Sequence, residues 1–202
     1  MASLDIFQHQ PVLEDERVLL RPIQESDYLH LLPFSLREPE IWKYAITNST
    51  AAGEENLKRY LTNTLTNRFD KKEYPFIILD KQANCYAGST RFYDIQQSNL
   101  TAQIGYTWYG KQFQRTGLNR HCKLLLLSFA FEEWGIERVQ FQADVNNARS
   151  IAAMKAIGCV EEGVLRSHMP LAGGGRRDTI VLSILKDEWF GGVKELLQGK
   201  IY

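Results

Sequence analysis

The segment Gln114 to Asn119, QRTGLN, sets a glycine and two polar residues directly ahead of a long apolar stretch. A helix starting there presents unpaired backbone N–H groups and the positive end of its dipole, and Gly117 lets the main chain come close to an anion. A pyrophosphate fits such a place. The segment is not a Walker loop, because no Gly-Lys-Ser/Thr follows. It is not a dinucleotide fingerprint either, because glycines are too few and the preceding strands are not in βαβ units. Further on, Asn147-Ala148-Arg149-Ser150 opens another helical stretch, with Asn147 suited to cap it. His168 lies in a strand-like run and has an ordinary pKa suited to proton transfer near neutrality. Cys85, Cys122 and Cys159 lack metal-ligand spacing and have no histidine partner close in sequence, so neither a metal nor a covalent thiol intermediate is expected.

The elements that must position these residues alternate along the chain. Arg17 to Pro22 reads as an opening strand, and Ser26 or Asp27 can cap a helix carrying Tyr28, Leu29, Leu31 and Leu32. Leu57, Leu61, Leu65 and Phe69 recur every fourth residue and predict one apolar stripe on a second helix. Phe76 to Leu79, Tyr86 to Ile95 and Thr101 to Tyr109 read as an antiparallel meander separated by the turn clusters DKQAN and QQSN. An amphipathic helix over Leu118 to Trp134 packs on that sheet. Val139 to Val145 is a buried strand, Ala148 to Ile157 a helix ended by Gly158, and two strands flank the GGGRRD turn at Gly173 to Asp178. The expectation is a single α/β domain of the α+β type over residues 1–202, with a core from Arg17 to Trp189 and short polar ends. Its central sheet is mixed, mostly antiparallel and flanked by helices.

The 202 residues are 44% hydrophobic and 24% charged, enough for a core without disulfides or a structural metal. Lys+Arg and Asp+Glu balance at 24 each with no long basic run, which argues against nucleic-acid binding. The odd, scattered cysteines suit a reducing compartment, and the start MASLDIFQHQ has no basic-then-apolar pattern, so a cytoplasmic protein that does not enter a membrane is expected.

Three segments in order, AQIGYTWYGKQFQRTGLN, SFAFEEWGIERVQFQADVNNARSIAAMKAIGCVEEGVLR and GGGRRDTIVLSILKDEW, resemble the GNAT superfamily of acyl-CoA-dependent N-acetyltransferases. More narrowly they resemble its Rim-type branch of ribosomal-protein N-terminal acetyltransferases. The resemblance implies acetyl-CoA as acyl donor, with Gln114, Arg115, Thr116, Gly117, Leu118 and Asn119 around its pyrophosphate. Arg120 would add charge there, and Asn119 departs from the small residue usual at its place. The resemblance also makes Thr107, Trp108 and Tyr109 a bulged strand whose backbone pairs with pantetheine and polarises the thioester. Asn147 would support the cofactor side, and Ser150 would sit near the thiol as the acid for the departing thiolate, since Met154 stands where many relatives have tyrosine.

The acceptor amine, near pKa 10, must lose a proton before it attacks. Gln103 stands where related sequences carry glutamate and cannot take that proton. His168 is the candidate base, with Asp94, Glu161 and Glu162 as alternatives through water. His121 reads as helix surface or packing. Trp42, Tyr44, Arg91, Tyr93 and Gln103 are expected on the acceptor side. The implied reaction is direct acetyl transfer to a primary amine by a monomer or homodimer, the acceptor being a protein N-terminus or a small molecule such as an amino acid, polyamine or aminoglycoside. The departures at Gln103, Asn119 and Met154 leave open a non-catalytic acyl-CoA-binding module.

Overall fold

The computed structural model describes residues 4–47 and 49–201. Eight strands form one sheet: β1 (Leu13–Glu14), β2 (Val18–Pro22), β3 (Glu73–Asp80), β4 (Cys85–Gln96), β5 (Thr101–Tyr109), β6 (Arg138–Asp144), β7 (Val160–Pro170) and β8 (Arg176–Leu185). Their spatial order is β1-β2-β3-β4-β5-β6-β8-β7. Every neighbouring pair is antiparallel except β5 with β6. The mixed, mostly antiparallel sheet expected from the sequence is therefore present.

Helices cover both faces. They are α1 (Ile6–His9), α2 (Tyr28–Arg37), α3 (Glu54–Phe69), α4 (Leu118–Ser128), α5 (Ala148–Ala156), α6 (Lys186–Glu188) and α7 (Lys194–Gln198). Strand β3 shows the two-sided burial directly. Its Tyr74, Phe76 and Ile78 join a core under α4 and α5, while Ile77 joins a second core under α2 and α3 with Leu31, Leu57, Tyr60, Trp42 and Trp108. Alternate side chains of one strand thus serve both layers.

Three local differences from the sequence pattern have physical causes. The stripe on α3 holds for Leu57 and Leu61, but Phe69 is 88% exposed, and the buried set is Leu57, Tyr60, Leu61 and Thr64. A spacing of four advances about 40° past each full turn, so three steps carry Phe69 roughly 120° off the buried face. Asp27 lies in a short 3₁₀ turn ahead of α2, where its buried carboxylate accepts the Gln24 N–H at 2.8 Å and the Arg21 guanidinium at 2.6 and 2.9 Å. The helix begun by α4 runs on through a wider turn over Phe129–Glu133, closed by the Trp134 N–H donating to Phe129 O at 2.8 Å.

The ends are not merely polar, and the core reaches beyond Arg17 and Trp189. Ile6 and Leu197 are buried in the main cluster, and Trp189 stacks on Phe131 at 5.6 Å while its indole N–H donates to Glu132 at 2.9 Å. Among the described residues no helix is long and apolar enough to cross a membrane. Trp189→Ala is expected to lower the unfolding free energy by about 3–5 kcal/mol in a denaturant titration. A loss under about 1 kcal/mol would show that the C-terminal segment does not belong to the cooperative core.

Candidate active site

The site begins where the sheet fails to close. Strands β5 and β6 pair only through Thr101↔Arg138, Ala102↔Val139 and Gln103↔Gln140, although β5 runs on to Tyr109 and β6 to Asp144. Past those pairs both strands line a cavity of about 500 Å³, a size that takes a ligand of ordinary dimensions. Strand β5 is also bulged against β4: Ser89 faces Trp108 and Arg91 faces Gly105, so three steps on β5 match two on β4. The extra residue lies at Tyr106–Thr107, with Tyr106 at φ 49°. The expected bulge is present one to two residues earlier than its sequence assignment, and it leaves local backbone outside the ladder.

Several side chains hold the bulge. Arg91 is buried, ion-pairs with Glu73, and lies 4.5 Å from the Tyr106 ring centroid and 5.0 Å from that of Tyr60. Tyr93 meets Tyr106 edge-on at 4.9 Å, and its ring would stand 2.6 Å from a Cβ at position 105, which explains the glycine there. Arg91 lines a smaller adjoining cavity of about 270 Å³ rather than the main one. Its observed contacts are those of a support for the strand.

At the other end, Gly117 caps α4 with φ 88°, and Arg115 has φ 64°, so the loop curls over the helix start. A Cβ at Gly117 would meet nothing within 4 Å, leaving open space in front of the helix N–H groups. Gln114 donates to Tyr109 O at 2.9 Å and accepts from Arg149, tying the loop to β5 and α5. Tyr109 donates to Asn119 Oδ1 at 3.2 Å. Gln114, Arg115, Gly117 and Asn119 line the cavity. Thr116 and Leu118 do not. Thr116 Oγ1 donates to Phe113 O at 2.8 Å, and Leu118 is in the core. Asn147 Oδ1 accepts the Ser150 N–H at 3.2 Å, so it is the cap of α5, and both residues line the cavity.

Trp42, Tyr44, Tyr93, Thr107, Trp108 and Tyr109 line the same space. Trp42 packs on Trp108 with centroids 5.0 Å apart, and its segment is tied to the tip of the β7–β8 hairpin by an Ile46↔Leu171 bridge and by the Ala172 N–H donating to Ala45 O at 3.0 Å. Gln103 lies outside the cavity, with its amide donating to Asp94 Oδ2 at 2.7 Å. His168 lies outside as well. Met169, the next residue, lines the cavity, because successive strand side chains face opposite ways. Glu161 pairs with Lys155, and Glu162 with Arg138 and Ser183. None of the sequence-chosen proton acceptors faces the cleft.

Four charged residues that sequence reasoning did not choose do face it: Lys123, Asp144, Arg149 and Arg177. Asp144 is the one carboxylate among the described lining residues, and its Oδ1 accepts the Asn146 backbone N–H at 2.8 Å and the Asn146 amide at 3.0 Å. Arg177 donates to Thr179 Oγ1 at 2.8 Å, and burial lowers its pKa. Lys123 is 5% exposed and donates to Thr107 Oγ1 at 3.1 Å, with burial pushing its amine down to about 8. Cys122 and Cys159 are pushed up to about 12 by burial, so both remain thiols rather than nucleophilic thiolates. His121 bonds through Nδ1 to Asp15 Oδ2 at 2.8 Å, fastening α4 to the β1–β2 turn away from the cavity.

A parted pair of parallel strands, a bulge on one of them and a helix start at the mouth of the gap meet in one cleft. The family description "Acetyltransferase (GNAT) domain" matches residues 17–160, and the chain belongs to that family. YdaF of Bacillus subtilis, named as a ribosomal N-acetyltransferase, is 36% identical over 104 residues, a stretch covering 52% of this chain and 56% of YdaF. The N-acetyltransferase p20 of Bacillus licheniformis is 27% identical over 180 residues, covering 89% and 98% of the two chains. A solved acetyltransferase from T. thermophilus superposes with a TM-score of 0.84 at 32% identity, covering 95% of this chain and 97% of that one. Mycobacterium smegmatis RimJ, solved with CoA-disulfide, shares the fold with a TM-score of 0.82 at 16% identity, covering 94% of each chain. The Rim-type resemblance read from the sequence has its counterpart in the name of YdaF.

Strand β5 can approach β4 only because residue 88 has no side chain: a Cβ there would lie 2.0 Å from Trp108 O. Gly88→Ala is expected to displace β5 beside the bulge, costing about 1–3 kcal/mol of stability and weakening acetyl-CoA binding about tenfold by calorimetry. Unchanged affinity in a folded Gly88→Ala protein would show that the β5 backbone does not shape the cofactor cleft.

Proposed function

We propose that this protein transfers the acetyl group of acetyl-CoA directly to the α-amine of a protein N-terminus. The observation that carries the reading is the shared cavity of three features: the backbone freed where β5 leaves β6, the bulge at Tyr106–Thr107, and the open start of α4. The loop from Gln114 to Asn119 would hold the pyrophosphate by backbone N–H groups, with Arg115 and Arg149 adding charge. The bulged backbone would donate to the thioester carbonyl as it becomes an oxyanion, a role worth about 3 kcal/mol. Ser150 would protonate the departing thiolate, a minor demand because a thiolate leaves readily near neutral pH.

The charge of the cleft bears on the acceptor. Arg115, Arg120 and Arg149 line its pyrophosphate end, while Lys123 and Arg177 line it with Asp144 as the one carboxylate among the described residues, so polyamines and aminoglycosides find no acidic pocket. An α-amine, with a pKa near 8, is roughly one-tenth neutral at pH 7 without help, against about a thousandth for an alkyl amine. A cleft with a single carboxylate suits the first. Asp144 would take the remaining proton, its Oδ1 fixed by Asn146.

The test is calorimetry with acetyl-CoA, followed in the same preparation by free-thiol release over peptides of differing N-termini, polyamines, amino acids and aminoglycosides. Binding with thiol release on peptides alone is the expected result. Release only on a small amine would replace the acceptor, and binding without any release would indicate an acyl-CoA-binding module. Asp144→Asn is expected to cut kcat/KM for the peptide by about 100-fold or more while acetyl-CoA still binds. A loss under about threefold would remove Asp144 from proton transfer.

A further inference from the structure

Lys123 is an unusual residue for the floor of a cofactor cleft. It lies in the second turn of α4, beneath the gap where β5 and β6 part. Its Nζ donates to Thr107 Oγ1 on β5 at 3.1 Å and stands 5.8 Å from the ring centroid of Phe141 on β6, so the amine spans the two strands just past their last pair. It is 5% exposed yet lines the main cavity, and it makes no ion pair among the described residues. The Thr107 hydroxyl is shared with Thr90 Oγ1 at 2.7 Å, which fixes the position of the amine's partner. The titratable groups that act on Lys123 are Cys122 on its own helix and Cys159 ahead of β7, both neutral thiols, while Asp144 lines the same cavity from β6. A lysine buried without a carboxylate partner holds more of its population as the neutral amine than an exposed lysine does.

We propose that Lys123 is itself an acetyl acceptor: with acetyl-CoA bound and no amine substrate present, the protein acetylates its own Lys123 Nζ. This rests on the reading of the cleft as the acetyl-CoA site. The Nζ lone pair forms the new bond to the acetyl carbonyl carbon, the carbon–sulfur bond breaks, and sulfur leaves with the bonding electrons. The proton lost from Nζ is returned to that sulfur through water, so the products are an Nζ-acetyl amide and free CoA thiol. The amide is uncharged, and its acetyl group adds bulk at the fork between β5 and β6. Acetylation therefore narrows the cleft and weakens the next binding of acetyl-CoA, a brake that acts when acceptor is scarce.

The experiment is to incubate the whole protein with acetyl-CoA and no acceptor, digest it, and locate acetyl groups by mass spectrometry, with a parallel calorimetric titration. Exposed Lys58, Lys71 and Lys72 serve as internal standards for uncatalysed acetylation. Lys123 is expected to be modified first and towards one acetyl per chain, at a rate that rises with pH and levels off above about 8. Excess CoA is expected to block its modification and leave that of the exposed lysines unchanged. Acetylation of the exposed lysines ahead of Lys123 would overturn the proposal, as would tight acetyl-CoA binding with Lys123 unmodified. Absence of acetyl-CoA binding would instead fell the reading of the cleft itself. Lys123→Gln, which resembles the acetylated side chain, is expected to raise the Kd for acetyl-CoA about tenfold. Unchanged affinity in that variant would remove the braking role. Mapping on the wild-type chain decides the modification even if the variant does not fold.

Discussion

Two parallel strands that stay together for three residue pairs and then separate impose a cost on everything around them. The backbone N–H and C=O groups of β5 beyond Gln103 and of β6 beyond Gln140 that point across the gap lose each other as partners, and buried polar groups left unpaired are expensive. A sheet tolerates this only where a ligand or solvent can take the missing strand's place. The cavity between β5 and β6 is that place, and the remaining architecture holds the two strands apart without letting either one unravel.

On the β5 side the supports are aromatic and cationic. Trp108 packs on Trp42 and Phe34, Tyr106 is sandwiched by Arg91 and Tyr93, and Gly88 and Gly105 remove the side chains that would block those approaches. A tyrosine at positive φ costs about 1–3 kcal/mol and persists only when its surroundings fix it. The buried Arg91–Glu73 pair stacked on two tyrosine rings does so here. On the β6 side, the strand is held by seven residue pairs with β8, from Arg138↔Leu185 to Asp144↔Thr179. One wall is set by packing and the other by a full ladder.

The charges inside the cleft follow from the same geometry. The N-terminus of α4 opens at one end of the gap, so positive potential from the helix and from Arg115 and Arg149 gathers where an anionic ligand would lie. Lys123 lies one turn deeper on that helix and reaches the fork between the strands. Asp144, at the end of β6 where Asn147 starts α5, is left as the single acidic group among the described residues of the wall.

Local signals made much of this legible. The meander, the glycine at the head of α4 and the Asn147 cap could be read from the chain because turn chemistry, helix starts and strand periodicity are properties of neighbouring residues, whereas the bulge in β5 was implied only by the family resemblance. The sequence alone therefore determined the element order and the mixed sheet. It could not decide which side chains look into the cleft. His168 and Met169 are adjacent, and only the register of β7 against β8 decides that Met169 faces inward. Arg91 and Gln103 lie on the strands of the site, yet pairing with Glu73 and Asp94 across the sheet turns both to support. Lys123 sits among leucines in an amphipathic pattern that promises burial, and nothing near it in sequence says that the gap in the sheet lies directly above. Those assignments depend on contacts between residues far apart in the chain, and only the tertiary structure made them.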